Sequence, residues 1–383
     1  MNEIAKTRIK LIVAILIVIA LAHVVVIKMV IPSKPKEEEP VKTEKVEEPK
    51  QPVVTYRYRK PSENPNFGKD FERSTAVDGN LANLPLSAGA TSGFMVDLDT
   101  RKVLWMKNPG RSVPIASMVK MMTLLVAFEE LEKHPDWSLE MPVQITAGAT
   151  KVARTGIIWL DTRETMPLGD LMKAAAIKSA NDAAYQIAET VGGGDIAAFI
   201  AKMNRRAAEL KMPGTSFVSP NGLPSKANGN SLSTAEGMVI LGERLLEYPP
   251  MMEWASTKQT FIRGGKTELT TTNKLVNPHW PGVDGMKTGY TNDAGSCLTF
   301  TALRNGKRIM GCVTGFGSSV DRDRFCRKLI DWGYERAAEI DAGKLTPPTA
   351  APVTASAPKK AAAPAKATAK PAAKPAASTK KKP

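Results

Sequence analysis

Three short motifs follow one another along this chain, and together they limit the folds that it can adopt. They are, in chain order, Ser117-Met118-Val119-Lys120, Ser179-Ala180-Asn181 and Lys287-Thr288-Gly289. The S-x-x-K and S-x-N patterns recur elsewhere in the chain, but K-T-G occurs once. If the motifs serve one site, the fold must bring three segments that lie far apart in the sequence into contact.

The composition places these motifs in one globular region between two unusual ends. From Thr346 onward nearly every residue is Ala, Pro, Lys, Thr, Ser or Val, a mixture that cannot bury a core. Nine Lys and no acidic residue lie between 342 and 383, so this end carries much of the formal net charge of +15. Residues 32–80 are rich in Pro and in charge and are interpreted as an extended linker. We therefore predict one catalytic domain over residues 81–340, followed by a disordered basic tail over residues 341–383.

The N-terminus has the features of a targeting segment, for which two interpretations stay open. Residues 1–10, expected in the cytoplasm, contain three cations before an apolar run that starts at Leu11. A signal anchor would extend over residues 11–31, which is long enough to span a membrane. A signal peptide would instead be cleaved after residue 22. We favour the anchor, because the sequence stays apolar beyond that point, and either way the domain is expected in the periplasm or at the cell surface.

The cysteines are few and are predicted to be core residues. An Asn305-Gly306 pair predicts a hairpin turn, and the resulting register places Cys297 opposite Thr314 and diagonal to Cys312. Diagonal neighbours lie about 7–8 Å apart, too far for an easy disulfide. We therefore expect Cys297, Cys312 and Cys326 to be small buried residues, with a 297–312 bridge as the lesser alternative. No metal-ligand spacing is present, and a metal site is not expected.

Hydrophobic periodicity predicts strands at both ends of the domain and helices between them. The predicted strands cover a pair within 92–105, then 283–288, 296–304 and 308–315, and the predicted helices cover 118–132, 168–191, 196–210, 234–247 and 321–339. This order is typical of an α+β fold whose sheet is built from both ends of the domain.

The first motif can supply a nucleophile and its base. Ser117 and Lys120 lie on one face of a predicted helix, and a serine hydroxyl becomes a good nucleophile when a neighbouring base takes its proton. Lys120 can act as that base only when it is neutral, so burial or a nearby cation must lower its pKa. Lys287 is the candidate cation, and Ser179 would pass the proton on towards a leaving amine. The backbone N–H groups of Ser117 and Tyr290 would form the oxyanion hole.

The other motifs can hold a peptide substrate. Asn181 would bind an amide of the substrate. The strand around Gly289 would accept the substrate backbone as an added strand, because glycine has no side chain. Lys287 and Thr288 would bind a free carboxylate at the end of the substrate. Together the motifs predict an acyl-serine enzyme that acts on a peptide C-terminus.

The sequence around the motifs resembles a known family. Residues 88–333 are similar to the penicillin-binding domain of the low-molecular-mass D-alanyl-D-alanine carboxypeptidases, the S11 peptidases. The most similar segments are 115–123, 179–184, 217–223 and 283–291, and residues 321–325 and 329–333 also resemble the last helix of the family. The resemblance implies a penicillin-binding, β-lactamase-like serine transpeptidase fold, with an antiparallel sheet flanked by helices and an all-helical subdomain. It also implies that Arg324 helps to orient the substrate carboxylate and that no cofactor is required.

The function that this resemblance implies is a serine-type D-Ala–D-Ala carboxypeptidase. Such an enzyme trims the terminal D-alanine of peptidoglycan stem peptides through an acyl-Ser117 intermediate, and β-lactams inhibit it covalently. A D,D-endopeptidase that cuts D-alanyl cross-links and a non-catalytic penicillin receptor stay open as alternatives. Ala180 stands where many relatives have glycine, and its effect on the cleft is open.

The two ends of the chain are expected to have partners of their own. The N-terminal segment would contact the inner membrane. The basic tail follows the domain where the best-known relatives continue into a β-rich domain. It is predicted to attract anionic envelope polymers, or to have no partner, and nucleic acid is not expected although polybasic tails bind phosphate chains.

Overall fold

The computed structural model describes residues 63–225 and 227–344 of the 383-residue chain. The predicted anchor, most of the predicted linker and most of the predicted basic tail lie outside the described residues. Within the described ranges, no helix combines the length and the apolar character needed to cross a membrane.

Strands occupy both ends of the described region, and helices fill the middle. The strands are β1 (Val77–Asp78), β2 (Ser92–Asp97), β3 (Val103–Lys107), β4 (Val113–Pro114), β5 (Pro142–Gln144), β6 (Thr165–Pro167), β7 (Leu232–Ser233), β8 (Gln259–Ile262), β9 (Thr267–Thr270), β10 (Val283–Thr291), β11 (Gly295–Arg304) and β12 (Lys307–Phe316). The α-helices are α1 (Lys120–Lys133), α2 (Ala147–Thr150), α3 (Leu168–Ile177), α4 (Asn181–Val191), α5 (Ile196–Glu209), α6 (Ala235–Leu245), α7 (Pro249–Ser256) and α8 (Ser319–Asp341). Short 3-10 helices cover Pro85–Gly89 and Ala116–Val119.

One six-stranded sheet, in the order β1-β3-β2-β12-β11-β10, joins the first strands of the domain to the last. Its neighbouring strands are antiparallel, except that β1 and β3 run parallel. The β11–β12 hairpin has the register predicted from its Asn305-Gly306 turn, with Arg304 opposite Lys307. The predicted α+β fold, with a largely antiparallel sheet built from both ends of the domain, is confirmed.

Two hydrophobic cores lie on the two faces of this sheet. Alternate residues of a strand point to opposite faces, and in β2 Phe94 and Val96 belong to one core whereas Met95 belongs to the other. Helix α8 contributes Phe325 and Leu329 to the second core, and helices α1 and α3 to α7 build the first. Because both faces are covered, every residue of β2 is buried.

The structure divides the helical region predicted over 168–191 into α3 and α4, so that prediction is wrong in its continuity. Ser179 lies in the break with a φ of 64°, a left-handed conformation that interrupts a right-handed helix. Ala180 follows with a φ of −61° and packs into the first core. The second motif therefore stands at the start of α4, where Asn181 is the first helical residue.

The cysteines are free and buried, which confirms their interpretation as core residues. Cys297 does not pair with Thr314 as predicted, because an irregularity between Ser296 and Leu298 shifts the register. Burial raises the pKa of all three thiols, that of Cys297 to about 11. These thiols therefore stay protonated near neutral pH.

Strand β10 is an edge strand of the sheet and lies against the 3-10 helix that contains Ser117. A Cβ atom at Gly289 would lie 2.5 Å from the carbonyl oxygen of Ile115. The space beside Gly289 is thus filled by the chain that precedes Ser117. The prediction that Gly289 leaves room for a substrate backbone is therefore wrong, because its missing side chain allows β10 to pack against the serine turn. The open edge of β10 remains the place for an added strand.

We expect Gly289→Ala to lower the free energy of unfolding by about 1–3 kcal/mol, because the added methyl group overlaps backbone atoms. Chemical denaturation measures this change. Gly110→Ala is the matched control, since a Cβ there meets nothing within 4 Å. It should change the unfolding free energy by no more than about 0.5 kcal/mol, and equal effects of the two substitutions would contradict the packing role.

Candidate active site

The motifs converge on one cavity of about 540 Å³. Its lining residues are Ser117, Ser179, Thr272, Thr288, Gly289, Tyr290, Ser296, Gly317, Ser318, Ser319 and Arg322. A larger cavity of about 790 Å³ around Phe71 and Arg101 contains none of the motif residues. The smaller cavity is therefore the candidate active site.

Ser117 lies on a tightly held turn just before α1 begins. Ala116 has a φ of 48°, an unusual conformation for a residue other than glycine. A Cβ atom at Gly222, whose φ is 85°, would collide with the carbonyl group of Ala116. The serine turn therefore packs closely against two glycines, Gly222 in the loop between α5 and β7 and Gly289 in β10, and neighbouring backbone fixes its position.

Lys120 is fully buried and has three polar neighbours. Its Nζ lies 2.7 Å from Oδ1 of Asn181, 2.6 Å from the carbonyl oxygen of Asn221 and 3.0 Å from Oγ of Ser117. The two amide oxygens carry no proton, so they can only accept hydrogen bonds. A neutral amine has two N–H donors and one lone pair. When both donors serve the amide oxygens, the lone pair is left for the hydroxyl proton of Ser117.

Two effects favour the neutral form of Lys120. Burial lowers its pKa well below the ordinary value, and the nearby Lys287 cation lowers it further, whereas the Asp182 carboxylate opposes the shift. The same kinds of cause act on Lys287, since burial and the nearby Arg322 cation together lower its pKa to about 7. Lys287 and Arg322 make this part of the site electropositive, which suits an anionic group.

Asn181 links the base to the loop that follows α2. Its Nδ2 donates a hydrogen bond to the carbonyl oxygen of Thr155 at 2.6 Å, and its backbone N–H donates to that of Gly156 at 2.6 Å. Its Oδ1 is the acceptor for Lys120. Asn181 is therefore held at both ends of its side chain and at its backbone.

The third motif lies along β10. Lys287 is buried, and its Nζ donates to the carbonyl oxygen of Thr288 at 3.3 Å. The hydroxyl groups of Thr288 and Thr272 lie 2.6 Å apart at the cavity. Tyr290 also lines the cavity, with 63% of the residue exposed. The assignment of an oxyanion hole to the N–H groups of Ser117 and Tyr290 stays a prediction.

The structure contradicts the placement of Arg324 at the substrate carboxylate. Its side chain is 60% exposed, lies 3.6 Å from Asp321 and is not part of the cavity lining. Arg322 is buried and lines the cavity instead, where it donates to the carbonyl oxygen of Cys297 at 3.1 Å and to Oδ1 of Asp323 at 2.7 Å. Residues two apart on an α-helix differ by about 200° in direction, so only one of these arginines can face the cavity.

Sequence reasoning missed three residues of this site. Asn221 supplies a carbonyl oxygen to Lys120 and lies in the family-like segment 217–223, from which no site role was predicted. Thr272 contacts Thr288 across the fold and has no local sequence signal. Arg322 could have been found from the face of α8 that carries Phe325 and Leu329, both buried.

Comparison with known proteins assigns the family. The peptidase S11 family, D-alanyl-D-alanine carboxypeptidase, matches residues 80–317, a stretch that contains all three motifs. The chain belongs to this family. Family membership confirms the resemblance that the motif sequences indicated.

Individual relatives agree with this assignment. D-alanyl-D-alanine carboxypeptidase DacF of Bacillus subtilis is 33% identical over 255 residues, which cover 66% of this chain and 64% of that relative. The match thus spans less than two thirds of the length of DacF. A D-alanyl-D-alanine endopeptidase of Pseudomonas aeruginosa is 31% identical over 241 residues, which cover 61% of this chain and 74% of the relative.

Solved structures show the same fold. Penicillin-binding protein D2 of Listeria monocytogenes, in its cefotaxime-bound form, is similar with a TM-score of 0.58 at 28% identity. The similarity covers 64% of this chain and 97% of that protein. The predicted penicillin-binding fold is therefore confirmed.

The burial of Lys287 predicts that stability depends on pH. The pKa of this lysine is about 7 in the folded protein and has its ordinary value of 10.5 in an unfolded chain, so the unfolded chain binds more protons between these values. The free energy of unfolding should therefore rise with pH in this window, by up to about 1.4 kcal/mol per pH unit from this residue. Lys287→Met should remove this contribution, as measured by chemical denaturation from about pH 7 to about pH 9.

Lys266→Met is the control for this prediction, because Lys266 is exposed to solvent on the β8–β9 turn. It should leave the dependence of the unfolding free energy on pH as it is in the wild type. A Lys287→Met protein with the wild-type dependence would contradict the prediction.

Proposed function

We propose that this protein is a serine-type D-Ala–D-Ala carboxypeptidase that removes the terminal D-alanine from peptidoglycan stem peptides. The observation that carries the proposal is the buried amine of Lys120, 3.0 Å from the Ser117 hydroxyl and bonded on its other sides to Asn181 and Asn221. A neutral amine in this position has one proton to accept, that of Ser117. Membership of the S11 family supports the same reaction.

Acylation begins when Ser117 transfers its hydroxyl proton to Lys120 and attacks the carbonyl carbon of the penultimate D-alanine. The N–H groups of Ser117 and Tyr290 stabilise the oxyanion that forms. The C–N bond to the terminal D-alanine then breaks, and Ser179 relays the proton from Lys120 to the leaving amine. Water hydrolyses the resulting ester, which releases the shortened peptide and restores the Ser117 hydroxyl.

Selection of a free C-terminus follows from the positive part of the cavity. The terminal carboxylate binds Lys287, the Thr288 hydroxyl and Arg322, which takes the role that the family resemblance implied for Arg324. A bound anion favours the charged form of Lys287 and so raises its pKa. Asn181 holds the amide on the acyl side of the scissile bond, while the substrate backbone lies along the open edge of β10.

β-Lactams are proposed to acylate the same serine. Their carboxylate and strained amide present to the site the two groups that the peptide presents, a terminal anion and a reactive carbonyl. The cefotaxime-bound form of the Listeria relative supports this extension. Ser117 is therefore the expected position of a covalent penicillin adduct.

A D,D-endopeptidase is the second candidate function. The Pseudomonas endopeptidase is 31% identical, and the match covers a larger share of it, 74%, than of DacF. Both reactions pass through an acyl-serine and differ in whether the leaving amine is free D-alanine or the side-chain-linked amine of a cross-link.

The proposed place of action is outside the cytoplasm, where peptidoglycan is trimmed. The predicted anchor over residues 11–31 would hold the domain at the inner membrane, and the alternative of a cleaved signal peptide would release it. The lysines of the predicted tail over residues 341–383 would attract anionic envelope polymers in a salt-dependent manner. Family membership and the sequence of the two ends support these proposals.

We expect the full chain to release one D-alanine from the pentapeptide L-Ala-γ-D-Glu-L-Lys-D-Ala-D-Ala, as measured by mass spectrometry. Ser117→Ala should abolish release and prevent a covalent benzylpenicillin adduct, since the attacking oxygen is gone. Lys120→Met should lower kcat by about 10²–10⁴-fold, the usual contribution of a general base. Ser256→Ala, which removes a hydroxyl from α7 outside the cavity, is the control and should behave as the wild type.

Other outcomes of this experiment decide between the functions. Cleavage of a D-alanyl cross-linked dimer without trimming of the pentapeptide would favour the endopeptidase. An adduct without turnover of either substrate would favour a penicillin receptor. A penicillin adduct on the Ser117→Ala protein would overturn the assignment of the nucleophile.

The two arginines of α8 offer a matched test of carboxylate binding. We expect Arg322→Gln to lower kcat/KM for the pentapeptide about tenfold, equivalent to about 1.4 kcal/mol, because the cavity loses a positive charge. Arg322→Lys should restore part of this loss, and Arg324→Gln should stay within about twofold of the wild type. A thermal unfolding curve of each variant checks that the domain is folded. The reverse order of effects would return the role to Arg324.

A further inference from the structure

Trp159 is an aromatic residue that the fold holds out in solvent. It is 66% exposed, and its φ of 57° places it in the left-handed region, which a bulky residue rarely adopts. A strained backbone persists only where the surrounding structure imposes it, and such residues cluster at functional sites. The position of Trp159 is thus a feature that the neighbouring residues maintain.

The backbone on both sides of Trp159 is fixed by buried or bonded groups. The carboxylate of Asp182 accepts hydrogen bonds from the N–H groups of Ile158 at 3.0 Å and Leu160 at 3.2 Å. Arg263 donates from Nη1 to the carbonyl oxygen of Ile158 at 2.8 Å. Ile158 and Leu160 point into the protein and are buried. The residue between them is left with its ring in solvent.

This loop contacts the second motif of the candidate active site. Three residues before Trp159, the carbonyl oxygen of Gly156 accepts the backbone N–H of Asn181. Asp182, whose carboxylate accepts the hydrogen bonds from Ile158 and Leu160, is the next residue after Asn181. Its negative charge raises the pKa of Lys120. Trp159 therefore lies three residues after a backbone hydrogen bond to Asn181, which is proposed to bind the amide on the acyl side of the scissile bond.

An exposed cation accompanies the ring. The guanidinium carbon of Arg154 lies 5.6 Å from the centre of the Trp159 ring, within the range of a cation–π contact. Among the residues that the structure describes, Arg154 forms no ion pair with a carboxylate. On the loop that contacts Asn181, an aromatic face therefore stands beside a guanidinium that has no carboxylate partner among the described residues.

We propose that Trp159 and Arg154 form a subsite for the acyl-side part of an acidic stem peptide. The terminal carboxylate is assigned to Lys287 and Arg322, so the peptide chain upstream of the scissile bond continues past Asn181 towards this loop. There the Trp159 ring packs on apolar atoms of the peptide, and Arg154 pairs with a carboxylate of the same peptide. The inference rests on the proposed function and deepens it, since it makes the enzyme select long acidic stem peptides over short ones.

The test compares two substrates that differ only upstream of the cleaved bond. The pentapeptide L-Ala-γ-D-Glu-L-Lys-D-Ala-D-Ala reaches the proposed subsite, whereas the tripeptide diacetyl-L-Lys-D-Ala-D-Ala does not. We expect Trp159→Ala to lower kcat/KM for the pentapeptide about tenfold, mainly through KM, with a much smaller change for the tripeptide. Trp159→Phe should restore most of the loss, because it keeps an aromatic face.

The charge of Arg154 is tested in the same way. Arg154→Gln should lower kcat/KM for the pentapeptide about fivefold, in line with an exposed charge-assisted contact. The loss should disappear with the pentapeptide in which γ-D-isoglutamine replaces γ-D-glutamate, since that substrate lacks the carboxylate. The matched controls are Phe261→Ala, an aromatic residue that is 52% exposed on β8, and Arg163→Gln, a cation on the same loop. Both should stay within about twofold of the wild type.

The outcomes separate the subsite from the proposed function. Equal losses for pentapeptide and tripeptide, or no loss for either, would overturn the subsite. If the wild type releases no D-alanine from either substrate, the proposed function fails. The subsite is then tested by calorimetry, which measures binding of the pentapeptide to the Ser117→Ala protein. Weaker binding after Trp159→Ala is added to Ser117→Ala would then support it, and unchanged binding would overturn it.

Discussion

The burial of Lys120 inside the protein is the condition on which the rest of the site depends. Exclusion of water and a nearby positive charge each lower the pKa of an amine, and both act on Lys120. When its two N–H groups are bonded to Asn181 and Asn221, the lone pair of the neutral amine faces the hydroxyl group of Ser117. The burial costs stability, and the two cores on either side of the sheet offset that cost.

The fold was largely predictable, because its signals are local and repeated. The Asn305-Gly306 turn fixed the register of a hairpin, and strands at both ends of the domain indicated the α+β sheet. The break at Ser179 was not predictable, since the residues around it favour a helix and only tertiary contacts impose its left-handed φ. The family was predictable from the motifs, because their residue types are dictated by chemistry.

The site was predictable only where a residue belongs to a motif. Lys120 and Lys287 could be predicted to lie close together, because a lysine that acts as a base needs a nearby cation or burial to lower its pKa. Arg322 belongs to no motif, and only its place on the apolar face of α8, with Phe325 and Leu329, distinguishes it from Arg324. The sequence predicts that Gly289 leaves room for the substrate, whereas the structure shows that it leaves room for Ile115. This contact was not predictable, because it arises from packing between segments that are distant in the sequence.

The buried cysteines have a practical consequence for following this protein in solution. The chain contains three thiols, and all of them are shielded from solvent and protonated near neutral pH. A cysteine introduced at an exposed position such as Lys266→Cys would thus be the one thiol that a fluorophore or spin label can reach in the folded protein. Labelling of the other three would then report the moment at which the sheet and α8 come apart.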